Sequence, residues 1–242
     1  MSDNLGNCLV YPQLRSDYIV LDLFNNMDFR MNVRSIIFDW DGTLAKTLDL
    51  WLEGFQRSFE KRDLTFQPNE IVSEFFYNYD KVQERYPRMD FPAVAEETRG
   101  HVHQEVHTAS LYEGVQDTLN ALKNKDITLS LVTSSARKLL NKGMGAHRLE
   151  EFFASTVAGD DGYGHKPDPQ PFATTLERVG ANASETLVIG DSHVDILAGQ
   201  AIGCQTCWFA PSHNRLFHDF DHIRSIGADH EISRIRELVD LT

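Results

Sequence analysis

Three observations predict an α/β fold: a Rossmann-like parallel sheet of about five strands, with helices on both faces and an inserted α-helical segment. Short β-prone runs end abruptly in polar residues, and the segments between them carry helical apolar spacing. A stretch of about 65 residues without a strand pattern then interrupts this alternation.

The first strand is Ser35-Ile36-Ile37-Phe38, which runs directly into Asp39-Trp40-Asp41-Gly42-Thr43-Leu44. Strands of a parallel sheet are buried on both faces and their ligands bind beyond the carboxyl ends, so Asp39 and Asp41 belong at the mouth of a site. Residues two apart on an extended chain share a side. Two like charges that close call for a cation or a shared proton, and the pair therefore reads as an acidic metal site.

Leu48, Leu52, Phe55 and Phe59 then recur at helical spacing, and no strand pattern appears before residue 113. Residues 48–112 are read as a helical insertion over the sheet, 32–47 and 113–242 as the α/β core, and 1–31 as an extension of unassigned role. In the core, Val115, Leu119 and Leu122 form a helical stripe. A strand is expected at 129–133, a helix from Ser134 to Lys142, and a third strand near 155–158. A helix at 169–179, a strand at 186–190, a helix at 191–202 stopped by Gly203, and a strand at 204–209 follow. An amphipathic helix over 232–241 is expected to close the chain.

Charge narrows the function. The 242 residues carry 23 Lys and Arg against 36 Asp and Glu, a formal charge of −13. Nucleic acid and anionic membrane would be repelled over most of such a surface, so neither is an expected partner. A small anionic substrate remains admissible where a few basic groups and a metal converge. No apolar run approaches the roughly 18 residues of a membrane span, and the amino terminus lacks the pattern of a secretory signal. The three cysteines, Cys8, Cys204 and Cys207, suit a reducing compartment, with Cys204 and Cys207 expected to be buried and structural. A cytoplasmic location is the resulting expectation.

Four strand ends thus present chemistry to one edge of the sheet: Asp39 with Asp41, Thr133, Lys166 in Gly164-His165-Lys166-Pro167-Asp168-Pro169, and Asp191 with Asp195. This set, in this order, resembles the haloacid dehalogenase superfamily, in particular its phosphoglycolate phosphatase and beta-phosphoglucomutase-like subgroup with a helical cap. The resemblance implies a Mg²⁺-dependent phosphatase acting on a small soluble phosphomonoester through an aspartyl-phosphate. Asp39 would be the nucleophile and Asp41 the acid and base. Mg²⁺ would be held by Asp39, Asp191 and the backbone carbonyl of Asp41. Thr133 would donate to a phosphoryl oxygen, aided by backbone N–H groups where a helix starts at Ser134. Lys166 would restrain Asp39 and offset transition-state charge, with Asp195 supporting the metal or Lys166 from behind. A phosphomutase using the same residues and a catalytically silent binding module are the alternatives. A dehalogenase is disfavoured, since Asp41 suits a leaving alcohol.

Lys46 departs from the family pattern, in which an Asp is common just after this turn, and is either a substrate contact or a surface residue. Arg137 and His193 flank motif residues and are candidate substrate contacts. Arg57, Lys61, Arg85, Arg88 and Arg99 lie in the cap, where relatives place recognition residues, although most such charges are ordinary surface.

Overall fold

A computed structural model of the chain describes residues 32–76 and 79–242, so the predicted extension over 1–31 lies outside the described residues. Six strands pair in parallel: β1 (Ser35–Phe38), β2 (Thr128–Val132), β3 (Ser155–Val157), β4 (Thr186–Gly190), β5 (Gln205–Phe209) and β6 (His230–Ile232). Their spatial order is β3-β2-β1-β4-β5-β6, so β1 is central and the order reverses beside it. Ligand crevices open at that reversal in doubly wound sheets.

Nine α-helices accompany the strands among the described residues: α1 (Leu48–Glu60), α2 (Pro68–Ile71), α3 (Tyr79–Arg85), α4 (Phe91–Glu105), α5 (Val115–Asn124), α6 (Arg137–His147), α7 (Gln170–Val179), α8 (His193–Ala201) and α9 (Phe220–Ile226). Side chains alternate across β1. Ile36 and Phe38 enter an apolar cluster with Leu119 and Leu122 of α5 and Leu140 and Met144 of α6. Ile37 enters the opposite cluster with Phe172 and Leu176 of α7 and Ala198 of α8. Each large apolar side chain removed from water here contributes about 1.5–3 kcal/mol. Both faces of β1 are therefore sealed, and its carboxyl end is the exit left for polar residues.

The carboxyl end of the chain departs from expectation. In place of one helix over 232–241, β6 adds a sixth strand and a 3₁₀ helix (Ile235–Leu241) follows it, burying Ile235 and Leu238. The β5 edge supplied unpaired backbone groups, and Ala210 N–H donates to Ile232 O at 2.7 Å. Three residues are too few for a strand period to register in sequence.

Between β1 and α5 the chain is helical, with a π turn at Val72–Phe76. The amphipathic face of α1 packs against α4 around Phe55, Phe59, Phe75 and Phe91. Phe55 stacks on Phe59 and Phe91 with ring centroids 6.0 and 6.5 Å apart. Two adjacent backbone crossings join this insertion to the sheet. Lys46 N–H donates to Ser110 O at 2.9 Å, and Tyr112 N–H to Leu44 O at 3.0 Å. One core residue, Phe217, enters the apolar cluster of the insertion, its ring 5.8 Å from Phe76. Cys204 and Cys207 are buried free thiols, and among the described residues no helix is long and apolar enough to cross a membrane.

Candidate active site

The register of the three central strands assembles the site. Phe38 pairs with Leu131 on one side and Ile189 on the other, so Asp39, Thr133 and Asp191 leave the sheet close together. Asp39 N–H still donates to Ile189 O at 2.9 Å, which keeps Asp39 extended beyond the strand. The chain then turns at Gly42, whose φ of +81° favours glycine. A Cβ there would lie 1.9 Å from Oδ2 of Asp191, so close approach as well as conformation demands glycine.

Asp39, Asp191 and Asp195 are all buried and can bring ligand oxygens within 4.8 Å of one another. Lys166 reaches into this group from the loop before α7, with Nζ 2.5 Å from Asp39 Oδ1 and 2.7 Å from Asp195 Oδ1. The other oxygen of Asp39 accepts from Thr43 Oγ1 at 3.2 Å. Oδ2 of Asp195 accepts from the Ser192 hydroxyl at 2.8 Å and, more weakly, from its N–H, closing the first turn of α8. Both oxygens of Asp195 are thereby engaged, and its place is behind Lys166.

Burial raises the proton affinity of Asp39 well above the carboxylate norm; Lys166 offsets part of this, while Asp195, Asp191 and Asp41 add to it. Burial likewise raises Asp191, against the opposing pull of His218. For Lys166, burial disfavours the ammonium, but Asp195 and Asp39 outweigh it and hold its pKa above the usual lysine value. Three carboxylates against one ammonium leave an excess of buried negative charge that a hard divalent cation with oxygen ligands would neutralise. The donor set fits Mg²⁺.

The Asp41 side chain is turned away from that group. Its Oδ1 accepts from Thr47 Oγ1 at 2.6 Å, and its Oδ2 from Ser135 Oγ at 2.7 Å and Thr133 Oγ1 at 3.2 Å. Its carboxylate, also a predicted metal ligand, is thus taken up by hydroxyls, which leaves its backbone carbonyl as the group it could offer to a metal beside Asp39 and Asp191. The expected helix start is also corrected: α6 begins at Arg137, because Ser135 N–H donates to Thr133 Oγ1 and holds residues 134–136 in a turn. Ser134 lines the cleft from this turn, not from a helix end.

Two candidate substrate contacts lie elsewhere. Arg137 donates to Thr156 Oγ1 at 2.7 Å, to Thr156 O at 3.0 Å and to both oxygens of Asp161, so its guanidinium ties α6 to the end of β3. Lys46 sits 5.4 Å from the Tyr112 ring and lines a separate depression with His213 and Arg234. The fold carries its side chain away from Asp41 and Lys166. Of the basic cap residues, Arg57 pairs with Glu53, Lys61 with Glu97 and Arg85 with Glu74, whereas Arg99 lines the cleft that holds Asp41 and Lys166. His193 lines that cleft too.

Sequence reading missed the residues that hold Asp191. Its Oδ2 accepts from Asn214 Nδ2 at 2.9 Å and lies 2.7 Å from Nε2 of His218. Asn214 also donates to Gly42 O at 2.9 Å, and Trp208 Nε1 to Asp191 O at 2.9 Å. Both missed residues follow β5, five and nine residues beyond its end, in and past a 3₁₀ turn, so no strand-end pattern marks them.

A doubly wound sheet with a helical insertion after β1, and aspartates, a lysine and hydroxyls at its carboxyl edge, defines a class of α/β protein with an acidic, lysine-bearing site. The chain belongs to the haloacid dehalogenase-like hydrolases, whose family pattern matches residues 36–209. It is 30% identical over 217 residues to the pyrophosphatase PpaX of Anoxybacillus flavithermus, covering 87% of this chain and 97% of that protein. To the pyrophosphatase PpaX of Oceanobacillus iheyensis it is 28% identical over 215 residues, with the same coverage. In fold it is similar to the crystal structure of a predicted phosphoglycolate phosphatase from Haemophilus somnus, with TM-score 0.75, 19% identity, and 87% and 98% of the two chains covered. CbbY from Rhodobacter sphaeroides in complex with phosphate gives TM-score 0.69 at 20% identity, covering 85% and 96%.

Proposed function

We propose that this hydrolase is a Mg²⁺-dependent phosphatase that cleaves a small organic phosphomonoester through an aspartyl-phosphate on Asp39. The observation that carries the reading is the Asp39–Lys166–Asp195 chain of contacts, 2.5 and 2.7 Å long, beside an Asp41 carboxylate held by three hydroxyls. It separates one carboxylate for attack from another for proton transfer.

Asp39 attacks phosphorus as the ester P–O bond breaks, and Asp41, protonated when the substrate binds, gives that proton to the departing alkoxide. Asp41 then takes a proton from water as the water oxygen attacks the same phosphorus; the Asp39–phosphorus bond breaks and inorganic phosphate leaves. Lys166 fixes the orientation of Asp39 and offsets charge on the phosphoryl group. Thr133 and Ser134 would donate to phosphoryl oxygens once the substrate displaces the Thr133 contact with Asp41. Asp39, Asp191 and the Asp41 carbonyl would hold Mg²⁺, whose positive charge offsets that of the phosphoryl oxygens. The helical insertion acts as a cap over the cleft and excludes bulk water from the first step.

Release of inorganic phosphate by the purified protein, with and without Mg²⁺, tests this reading. Turnover that requires Mg²⁺ and disappears in Asp39→Asn is expected, and full activity in that variant would overturn it. The relatives named pyrophosphatase favour pyrophosphate as a second candidate substrate, decided in the same assay.

A further inference from the structure

The cleft that contains Asp41, Ser134 and Lys166 has a volume of about 840 Å³. Its other walls come largely from the helical insertion and are apolar: Leu48, Trp51, Phe55 and Phe76, met by Leu139 of α6. Trp51 is half-buried, resting on Val102, Val106 and Leu139, which leaves part of the indole facing the cleft. Such a volume, with apolar walls and a few convergent polar groups, is typical of a site that encloses an organic molecule.

The cations in the cleft are unevenly available. Of its Lys and Arg residues, Lys166 is engaged by Asp39 and Asp195, and Arg99 of α4 is the other. Arg99 is exposed, and its guanidinium makes no ion pair or hydrogen bond among the described residues. Asp160, the acidic wall residue besides Asp41, accepts the Arg137 N–H at 2.6 Å. Pyrophosphate presents a second phosphoryl group needing donors on several sides; Ser134, Ser135, His165 and His193 line the core side of the cleft, whereas the insertion side offers Arg99 alone among apolar side chains.

We infer that the preferred substrates are phosphomonoesters whose leaving alcohol carries a planar aromatic group, stacked on Trp51 and flanked by Phe76, with an anionic substituent recognised by Arg99. This rests on the phosphatase reading above and names the substrate class of that site. Trp51 and Arg99 then determine specificity without taking part in bond breaking. An aromatic stack favours the correct leaving group by about tenfold, and a charge-assisted contact by about tenfold more.

Ethyl phosphate, benzyl phosphate and 4-carboxybenzyl phosphate test this, because their alcohols differ little in intrinsic leaving ability. The expected order of kcat/KM rises by about tenfold at each step in that series, with pyrophosphate and phosphoglycolate near ethyl phosphate. Trp51→Ala is expected to collapse the benzyl-to-ethyl ratio and Trp51→Phe to restore most of it, while Arg99→Gln removes only the advantage of the carboxylate. Equal rates across the series, preference for pyrophosphate or phosphoglycolate, or ratios that survive both substitutions would overturn the inference. Calorimetric binding of benzylphosphonate against ethylphosphonate separates the two readings. Selective binding without phosphate release from any ester would sink the phosphatase assignment and leave the specificity standing, whereas unselective binding would sink the specificity.

Discussion

Nε2 of His218 lies 2.7 Å from Oδ2 of Asp191, with both side chains 3% exposed. The adjacent Phe217 is 1% exposed and packs with Phe76 in the apolar cluster of the helical insertion. One short loop after β5 therefore touches a proposed metal ligand with one residue and the insertion with the next. A side chain that orients a ligating carboxylate commonly supports metal affinity by 10–100-fold. His218→Ala is expected to weaken Mg²⁺ or Mn²⁺ binding by about tenfold, read by calorimetric titration with the metal alone.

Lys166 is buried between two carboxylates, with its side chain 4% exposed. Its removal leaves buried negative charge without a partner, an effect of about 3–5 kcal/mol. Lys166→Met is expected to lower unfolding stability by roughly that amount in urea titrations of the metal-free protein, and to abolish phosphate release. A variant as stable as the parent would show that Asp39 and Asp195 do not depend on this ammonium.

Gly42→Ala combines a φ of +81° with a Cβ 1.9 Å from Asp191 Oδ2. The turn or the aspartate must shift, at a cost above about 1 kcal/mol. Metal affinity is expected to fall with stability, because the displaced atom belongs to the proposed ligand. Thermal melts with and without Mg²⁺ check both, the stabilisation by Mg²⁺ shrinking in the variant.

Burial pushes the thiols of Cys204 and Cys207 up to about 12 from 9.0. Iodoacetamide at pH 8 is expected to leave both unmodified in the native protein and to modify both in urea, as peptide mass mapping would show. The same shift fixes a pH dependence. Below pH 9 the thiols are protonated in both states; between about 9 and 12 only the unfolded chain releases these protons, so their contribution to stability is lost as pH rises through that window.

The sequence by itself carried the α/β class, the helical insertion and the residues Asp39, Asp41, Thr133, Lys166 and Asp191. These were legible because β1, β2 and β4 run directly into Asp39, Thr133 and Asp191, and because Lys166, farther from its strand, sits in a motif that the family resemblance marks. The turn before α6 was misread since its hydrogen bond between Ser135 and Thr133 competes with a helix that composition alone would start earlier. β6 was missed because three residues gain their pairing from β5, a neighbour in space.

What tertiary structure alone decided is where side chains point and which distant residues meet them. Arg137 and Lys46 stand beside motif residues in sequence, yet Asp161 and Thr156 capture one and the Tyr112 ring lies under the other. Asn214 and His218 reach Asp191 from 23 and 27 residues away. Trp51, Phe76 and Arg99 come to one cleft only when α1 and α4 pack over the sheet edge. Local pattern encodes a strand and its end; the direction of a side chain depends on packing partners that lie far along the chain.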